Sequence, residues 1–320
     1  MVEAAAAELA RAQAMAAFEV TRSAGVPERA EMKTVTEQDA AMQEAFASIS
    51  AFLEDRAILS VPAWLGPPHQ AEIPDYLLPL WGLYSDNDMS IVDPLGDQAI
   101  PNGGAPMAFG LTRFSPPPSP KAGFFPRSAV YDIRPQISHE AFPGHQTQLA
   151  MSQRNPRAAR RKFLDSVSNE GIGTYLEEML LHHGLFDDNP HTRADIWAYC
   201  RLRMLRIACD LKLGCGLWST QEAADWLEVG VPMDAETALE DAEMYLAAPG
   251  LGLSYGVGKA QIVRFLAAAQ RLPGFALRTF HDRLWLDGNV PLELQMYEAL
   301  PEMEPPPAIR RLLQAGTAKL

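Results

Sequence analysis

Between Leu59 and Pro135, proline and glycine recur so densely that no long helix can persist. The stretches VPAWLGPPHQAEIP, IPNGGAPMAFG and RFSPPPSPKAGFFP each break the helical hydrogen-bond ladder. This constraint divides the chain into N-terminal helices over 1–60, a proline/glycine-rich region over 61–135 and a helical domain over 136–320. Alanine, leucine and glutamate dominate Val2 to Arg22, and TVTEQDAAMQEAFASISAFLEDRA repeats apolar residues at helical spacing, so two helices are expected there. Thr36 and Asp39 resemble a weak capping box for the second. In the middle region PMAFGLTRF and SAVYDI are expected as strands of a small sheet or ribbon, and RFSPPPSP as a rigid, solvated loop. Helices are then expected over 164–185, 191–215, 220–229, 234–247, 256–271, 275–287 and 291–299, with Ser219 as an N-cap. The expected class is mainly α.

At 320 residues the chain can bury one large core or two small ones. Its net charge of −13, from 27 basic and 40 acidic residues, argues against nonspecific nucleic-acid binding, so no nucleic-acid partner is expected. No basic segment precedes the alanine-rich N-terminus and no apolar run is long enough to span a bilayer, so neither a signal peptide nor a membrane partner is expected. Cys200, Cys209 and Cys215 form no framework, which suits the cytoplasm; Cys209 reads as a small buried hydrophobe.

The chemistry concentrates in ISHEAFPGHQTQ, from Ile137 to Gln148. A zinc-peptidase helix reads H-E-x-x-H, with both imidazoles one turn apart. Here His145 follows His139 by six residues, about 240° around a regular helix, so the two cannot face one ion unless the helix breaks. Pro143 and Gly144 supply residues that permit such a break. Downstream, Glu170, Thr174 and Glu177 share one helix face. Two cofactor states are compatible with this set. One has no metal; the other has zinc on His139, His145 and Glu170, with Glu140 as general base.

HEAFPGH, EGIGTYLEE, RMLRIACDLKLGCGLW, PGLGLSYGVGK and LRTFHDRLWLDGNVPL follow one another in an order that resembles the C-terminal half of the bacterial domain of unknown function 885 family. The resemblance covers about residues 130–300. It implies a zinc-peptidase-like helical fold with His139, Glu140, His145, Glu170, Tyr175, Glu177, Asp210, Tyr255 and Lys259 lining one pocket. The chain departs from the family pattern at Gln146, Ile172, Gly214 and Met244, where histidine, tryptophan, histidine and arginine are usual. Family members are nearly twice as long. The missing half implies a second protein chain that completes the fold, unless the N-terminal helices close the open face themselves.

Arg203, Arg206 and Asp210 fall on one helix face, suited either to gripping an anionic group or to an exposed ion-pair cluster. Lys259 is expected at a helix start beside a glycine-rich loop, as an anion site. Asp132 is a supporting candidate, and His182, His183 and His281 read as surface or core residues. Three functions fit. The preferred one is the catalytic subunit of a two-chain biosynthetic enzyme that closes a ring by intramolecular amine attack, with loss of an anion such as sulfate, on an amino-acid-derived substrate, free or carrier-protein-bound. The half-length form resembles aziridine-forming subunits of azinomycin-type pathways. The others are a zinc peptidase or amidohydrolase, with Tyr175 or Tyr255 at the oxyanion, and a non-catalytic binding subunit.

Overall fold

The structure, a computed structural model, describes residues 2–67, 69–70, 108–109, 130–300, 302–305, 307 and 309–311. Helices α1 (Val2–Ser23) and α2 (Val35–Asp55) form the N-terminal layer. Thr34 caps α2, its hydroxyl accepting from the Glu37 amide while Glu37 reaches back to Thr34. The box expected at Thr36 and Asp39 is therefore displaced by two residues, because Glu37 is long enough to close the reciprocal bond and Asp39 is not.

Strands β1 (His69–Gln70) and β2 (Ala108–Phe109) pair in parallel. The strand expected in PMAFGLTRF thus appears at Ala108–Phe109, and the rest of that run lies outside the described residues, as does RFSPPPSP. SAVYDI is not a strand over its described part: Val130 and Tyr131 are helical, and Asp132 leads into the short helix α3 (Arg134–Gln136). Asp132 accepts from Arg134 Nε at 2.9 Å and from Thr192 Oγ1 at 2.7 Å, and those bonds fix the backbone in place of a ladder.

A π-helical turn over Ile137–Ala141 continues α3, followed by α4 (His145–Ser152), α5 (Ala158–Lys162), α6 (Ser166–His183), α7 (Pro190–Gly214) and α8 (Thr220–Gly230). Ser219 caps α8, as the sequence predicts, and Glu222 closes a full capping box with it. Helices α9 (Ala235–Ala247), α10 (Leu251–Ala269), α11 (Leu277–Asp287) and α12 (Leu292–Ala299) complete the fold. It is mainly α.

Helix α10 begins five residues earlier than its apolar periodicity predicts. Asp210, 40 residues upstream on α7, accepts from the Gly250 and Leu253 amides at 2.9 and 3.0 Å, so a distant carboxylate satisfies the orphan N–H groups of this helix start. Helix α6 lies at the centre of the core with Ile172, Leu176 and Leu180 fully buried. It crosses α10 at a glycine pair: a methyl on Gly171 would sit 2.5 Å from the Gly258 Cα. Helix α1 covers α7 and the outer face of α6. Arg11 bonds Glu8 and Glu178 at 2.6 Å and stacks over Trp197, while Arg193 holds Glu19 at 2.9 Å. Alanine at 171 must push the crossing apart, which costs about 1–3 kcal/mol against a helix-propensity gain of about 1 kcal/mol. Gly171→Ala is therefore expected to lower the urea unfolding free energy by about 1–2 kcal/mol. Gly214→Ala, in open space at the end of α7, is expected to leave it unchanged or raise it.

Candidate functional site

The break that the HEAFPGH spacing requires is present. Phe142 N–H bonds the Ile137 carbonyl at 2.8 Å, five residues back, which winds one extra residue into the turn. Phe142 is then extended (φ −135°, ψ 121°), as a residue before proline prefers, and the Phe142–Pro143 peptide is cis. Gly144 lies against the His139 carbonyl so closely that no side chain fits there. The new helix α4 starts at His145, pinned by Thr147 Oγ1 donating to Ala141 O at 2.8 Å and by Trp285 Nε1 donating to Pro143 O at 2.7 Å. As a result the His139 and His145 rings meet edge to face, 4.7 Å between centroids.

Helix α6 supplies the carboxylates. Glu170 Oε2 lies 3.8 Å from His139 Nε2 and 3.5 Å from His145 Nε2, bridging the two imidazoles. Glu140 Oε1 is 3.7 Å from His139 Nε2. Glu177 Oε1 approaches His139 Nδ1 at 2.9 Å, off the line of the ring N–H, so the contact is an ion contact and not an aligned hydrogen bond. Arg203 NH2 donates to that same Oε1 at 2.9 Å. Gly173 makes room for the ring, since a methyl there would fall 2.5 Å from His139 Cε1. Exposure sorts the acids by role. Glu140 and Glu170 keep 13% and 15% of their side chains open, whereas Glu177 keeps 1%. The first two can meet a ligand, and the third orients His139.

Burial alone would hold His139 below its ordinary pKa, but Glu140, Glu177 and Glu170 outweigh it and the opposing Arg203, raising it to about 10. Burial likewise works against ionised Glu170 and Glu177. His145 and His139 hold Glu170 well below the usual carboxylate range, and Arg203 and His139 hold Glu177 down.

The remaining expected site residues divide differently. Thr174, on the Glu170 face, turns its hydroxyl back to the Glu170 carbonyl at 2.9 Å. Tyr175 is directed to His281 Nε2 at 2.9 Å; His281 Nδ1 donates to Ile58 O, so the phenol donates to the ring's free nitrogen. That engagement removes it from the oxyanion role, and burial lowers His281 to about 4, keeping it neutral. Arg203 and Arg206 are buried and neither an exposed cluster nor free anion clamps, with Arg203 on Glu177 and Arg206 on Asp241 at 2.9 Å. Their guanidinium carbons flank the Tyr255 ring at 5.0 and 4.9 Å. Asp210 holds the start of α10 and Asp132 is tied to Arg134, Thr192 and Arg29, so neither belongs to the centre. Lys259 lies inside α10, not at its start, and pairs with Glu8 at 2.6 Å and with Glu178, which replaces the expected anion site. Gly214 is exposed, so the histidine usual there in the family is not a group missing from this centre. Cys209 is fully buried, as expected. Sequence reasoning missed Gly173 and Glu178. The E-G-x-G spacing marks the first, and nothing local marks the second.

The donor set fits a divalent ion. Ligand atoms of His139, Glu140 and His145 lie within 4.8 Å of one another, and Glu177 behind His139 is the usual support of a metal-bound imidazole. Two clefts, of about 510 and 530 Å³, lie elsewhere, one beside Arg29 and Asp132, the other beside Glu8 and Lys259.

A family model described as a bacterial protein of unknown function, DUF885, matches residues 118–296. The chain belongs to that family. Two solved structures share its fold, each at 17% identity. One, from Colwellia psychrerythraea and described as a lipoprotein, aligns over 92% of this chain and 50% of its own, with a TM-score of 0.73. The other, described as a lipoprotein of unknown function from Shewanella oneidensis, aligns over 93% and 55%, with a TM-score of 0.68. The DUF885 chain described here thus spans about half the length of these neighbours. No curated protein matches its sequence significantly. Among its described residues, no helix is long and apolar enough to cross a membrane.

Behind the centre, Glu178 is held down to about 2 by Arg11 and Lys259, against the opposing effect of burial. A carboxyl with a depressed folded pKa contributes stability above its unfolded value, near 4.5, and loses it as pH falls toward 2. That contribution is on the order of 3 kcal/mol. Urea unfolding at successive pH values should show Glu178→Gln to be less stable near neutrality, with a shallower loss across that acid window than wild type.

Proposed function

We propose that this chain is the catalytic half of a two-chain biosynthetic enzyme that closes a ring on an amino-acid-derived small molecule. The observation that carries the reading is the local excess of acid. Three carboxylates, Glu140, Glu170 and Glu177, outnumber by one the two cations among them, the Arg203 guanidinium and the protonated His139 ring, and Glu140 and Glu170 keep part of their side chains exposed. A substrate ammonium, with one positive charge and three N–H donors, matches that excess. Glu140 takes a proton from it, while Glu170, held ionised by the two histidines, steadies the ammonium. The freed nitrogen lone pair then forms a C–N bond to the neighbouring carbon as the C–O bond breaks, and sulfate leaves with the bonding pair. An aziridine results. Arg203 and Arg206 are already engaged, so we assign the grip on the departing anion to the second chain. Three cysteines free of disulfides suit a cytoplasmic reaction.

A second reading rests on the convergence of His139, Glu140 and His145. In that reading His139, His145 and Glu170 hold zinc, whose Lewis acidity serves amide or peptide hydrolysis. Glu140 is the base, and Glu177 fixes the His139 ring.

The native protein, purified with whatever chain accompanies it, distinguishes the two. Under the first reading it converts 2-aminoethyl hydrogen sulfate to aziridine and inorganic sulfate with or without chelator. Glu140→Gln combined with Glu170→Gln slows that release by about 100-fold or more. Stoichiometric zinc that disappears in His139→Ala, together with chelator-sensitive amide hydrolysis and no sulfate release, decides for the second.

A further inference from the structure

We propose that the cleft between α1 and α10 is a second binding site, one that takes a small apolar carboxylate such as an alkyl or aryl acid. The cleft has a volume of about 530 Å³ and shares no lining residue with the His139–Glu170 centre. Small-molecule sites occupy about 300–1,000 Å³, so there is room for such a molecule.

The glycine-rich run that the sequence offered as an anion site explains why the cleft exists. A methyl on Gly256 would fall 2.6 Å from Ile207 Cδ1 and 3.1 Å from Met204 Cε, so those α7 side chains reach the α10 backbone and form the floor. One turn on, Ala260 adds only a methyl to the α10 wall, and α1 faces it with Ala4 and Ala5. Alanines on both walls leave the space between the helices unfilled. Val263, 46% exposed, carries the apolar wall outward. A concave apolar surface with a few polar groups at its edge is the usual form of a ligand site.

The charges select the head group. Glu8 and Lys259 also line the cleft, but they hold each other at 2.6 Å and are tied to Arg11 and Glu178, two acids against two bases. Arg264, one turn beyond Ala260, is the remaining charge in the lining, and no described acid pairs with it. The cleft thus carries one surplus positive charge in a chain whose net charge is −13. That charge repels an ammonium. A carboxylate meets the guanidinium with both oxygens, while its apolar part displaces water from Met204, Ile207 and Val263. One guanidinium matches one negative charge, which favours a carboxylate over a phosphate dianion. The bound acid would bridge α1 and α10, the two helices that the Glu8–Lys259 pair already joins.

Octanoate and octylamine, equal in chain length and both ionised at neutral pH, separate the head-group effect from the apolar one. Titration calorimetry of the full chain is expected to show octanoate binding about fivefold or more tightly than octylamine. Arg264→Gln is expected to bring the two within about twofold of each other. Ala260→Phe places a ring in the cleft from an exposed position. It is expected to abolish octanoate binding and to shift the melting temperature by no more than about 2 °C. If that variant does not fold, Ala4→Phe, also at an exposed position, closes the cleft from the opposite wall. Absence of octanoate binding to wild type, equal affinity for the two probes, or a preference that persists in Arg264→Gln overturns the proposal. So does octanoate binding that survives in a folded phenylalanine variant, since the acid then sits elsewhere.

Discussion

Glu177 is a carboxylate with almost no contact with solvent, and burying such a charge is tolerable only if cations reach it. The desolvation cost is several kcal/mol. Arg203 from α7 and His139 from the π turn both approach its Oε1 at 2.9 Å. Two separate elements therefore have to converge on α6 before the three charged groups are electrostatically satisfied. This convergence sets the position of the His139 ring, and with it the gap that His145 and Glu170 close. The geometry of the centre follows from solving a burial problem.

The ring can reach Glu177 only because α6 lacks side chains where His139 passes. Gly173 leaves space for the imidazole, and Gly171 lets α10 come within backbone distance on another side. The π turn and Gly144 do the matching work on the other partner, turning a six-residue histidine spacing into a facing pair. A strict H-E-x-x-H helix would give one rigid orientation for both imidazoles. In this chain each histidine has its own scaffold, the turn for His139 and the start of α4 for His145, and Trp285 and Thr147 hold the two together.

What could be read in the sequence was whatever the local chain decides. Helix periodicity, the Ser219 cap, the shared face of Glu170 and Glu177 and the need for a break between His139 and His145 all depend on neighbours within a few residues. The failures share the opposite property. Lys259 looked like an anion site beside glycines, yet its partners Glu8 and Glu178 are 251 and 81 residues away. Asp132 looked like support for the centre, yet it is claimed by Thr192 and Arg134. The start of α10 lay hidden because Asp210 supplies its cap from α7. Tyr175 was placed in the pocket by resemblance alone, whereas its rotation on α6 carries it to His281.

Helix α6 reconciles these observations, because 100° per residue lets neighbouring letters serve unrelated surfaces. Glu177 points to His139 and Arg203, while Glu178, next in the chain, points out to Arg11 and Lys259 and fastens α1. Helix α10 repeats the arrangement, with Gly258 at the helix crossing and Lys259 in the ion cluster. The adjacent pairs Glu177–Glu178 and Gly258–Lys259 thus couple the seating of the N-terminal helix to the seating of the centre. A disturbance that lifts α1 leaves Glu178 and Lys259 buried with fewer partners, on the same two helices that hold Glu177 and the space for His139. The N-terminal layer is therefore part of the support of the site.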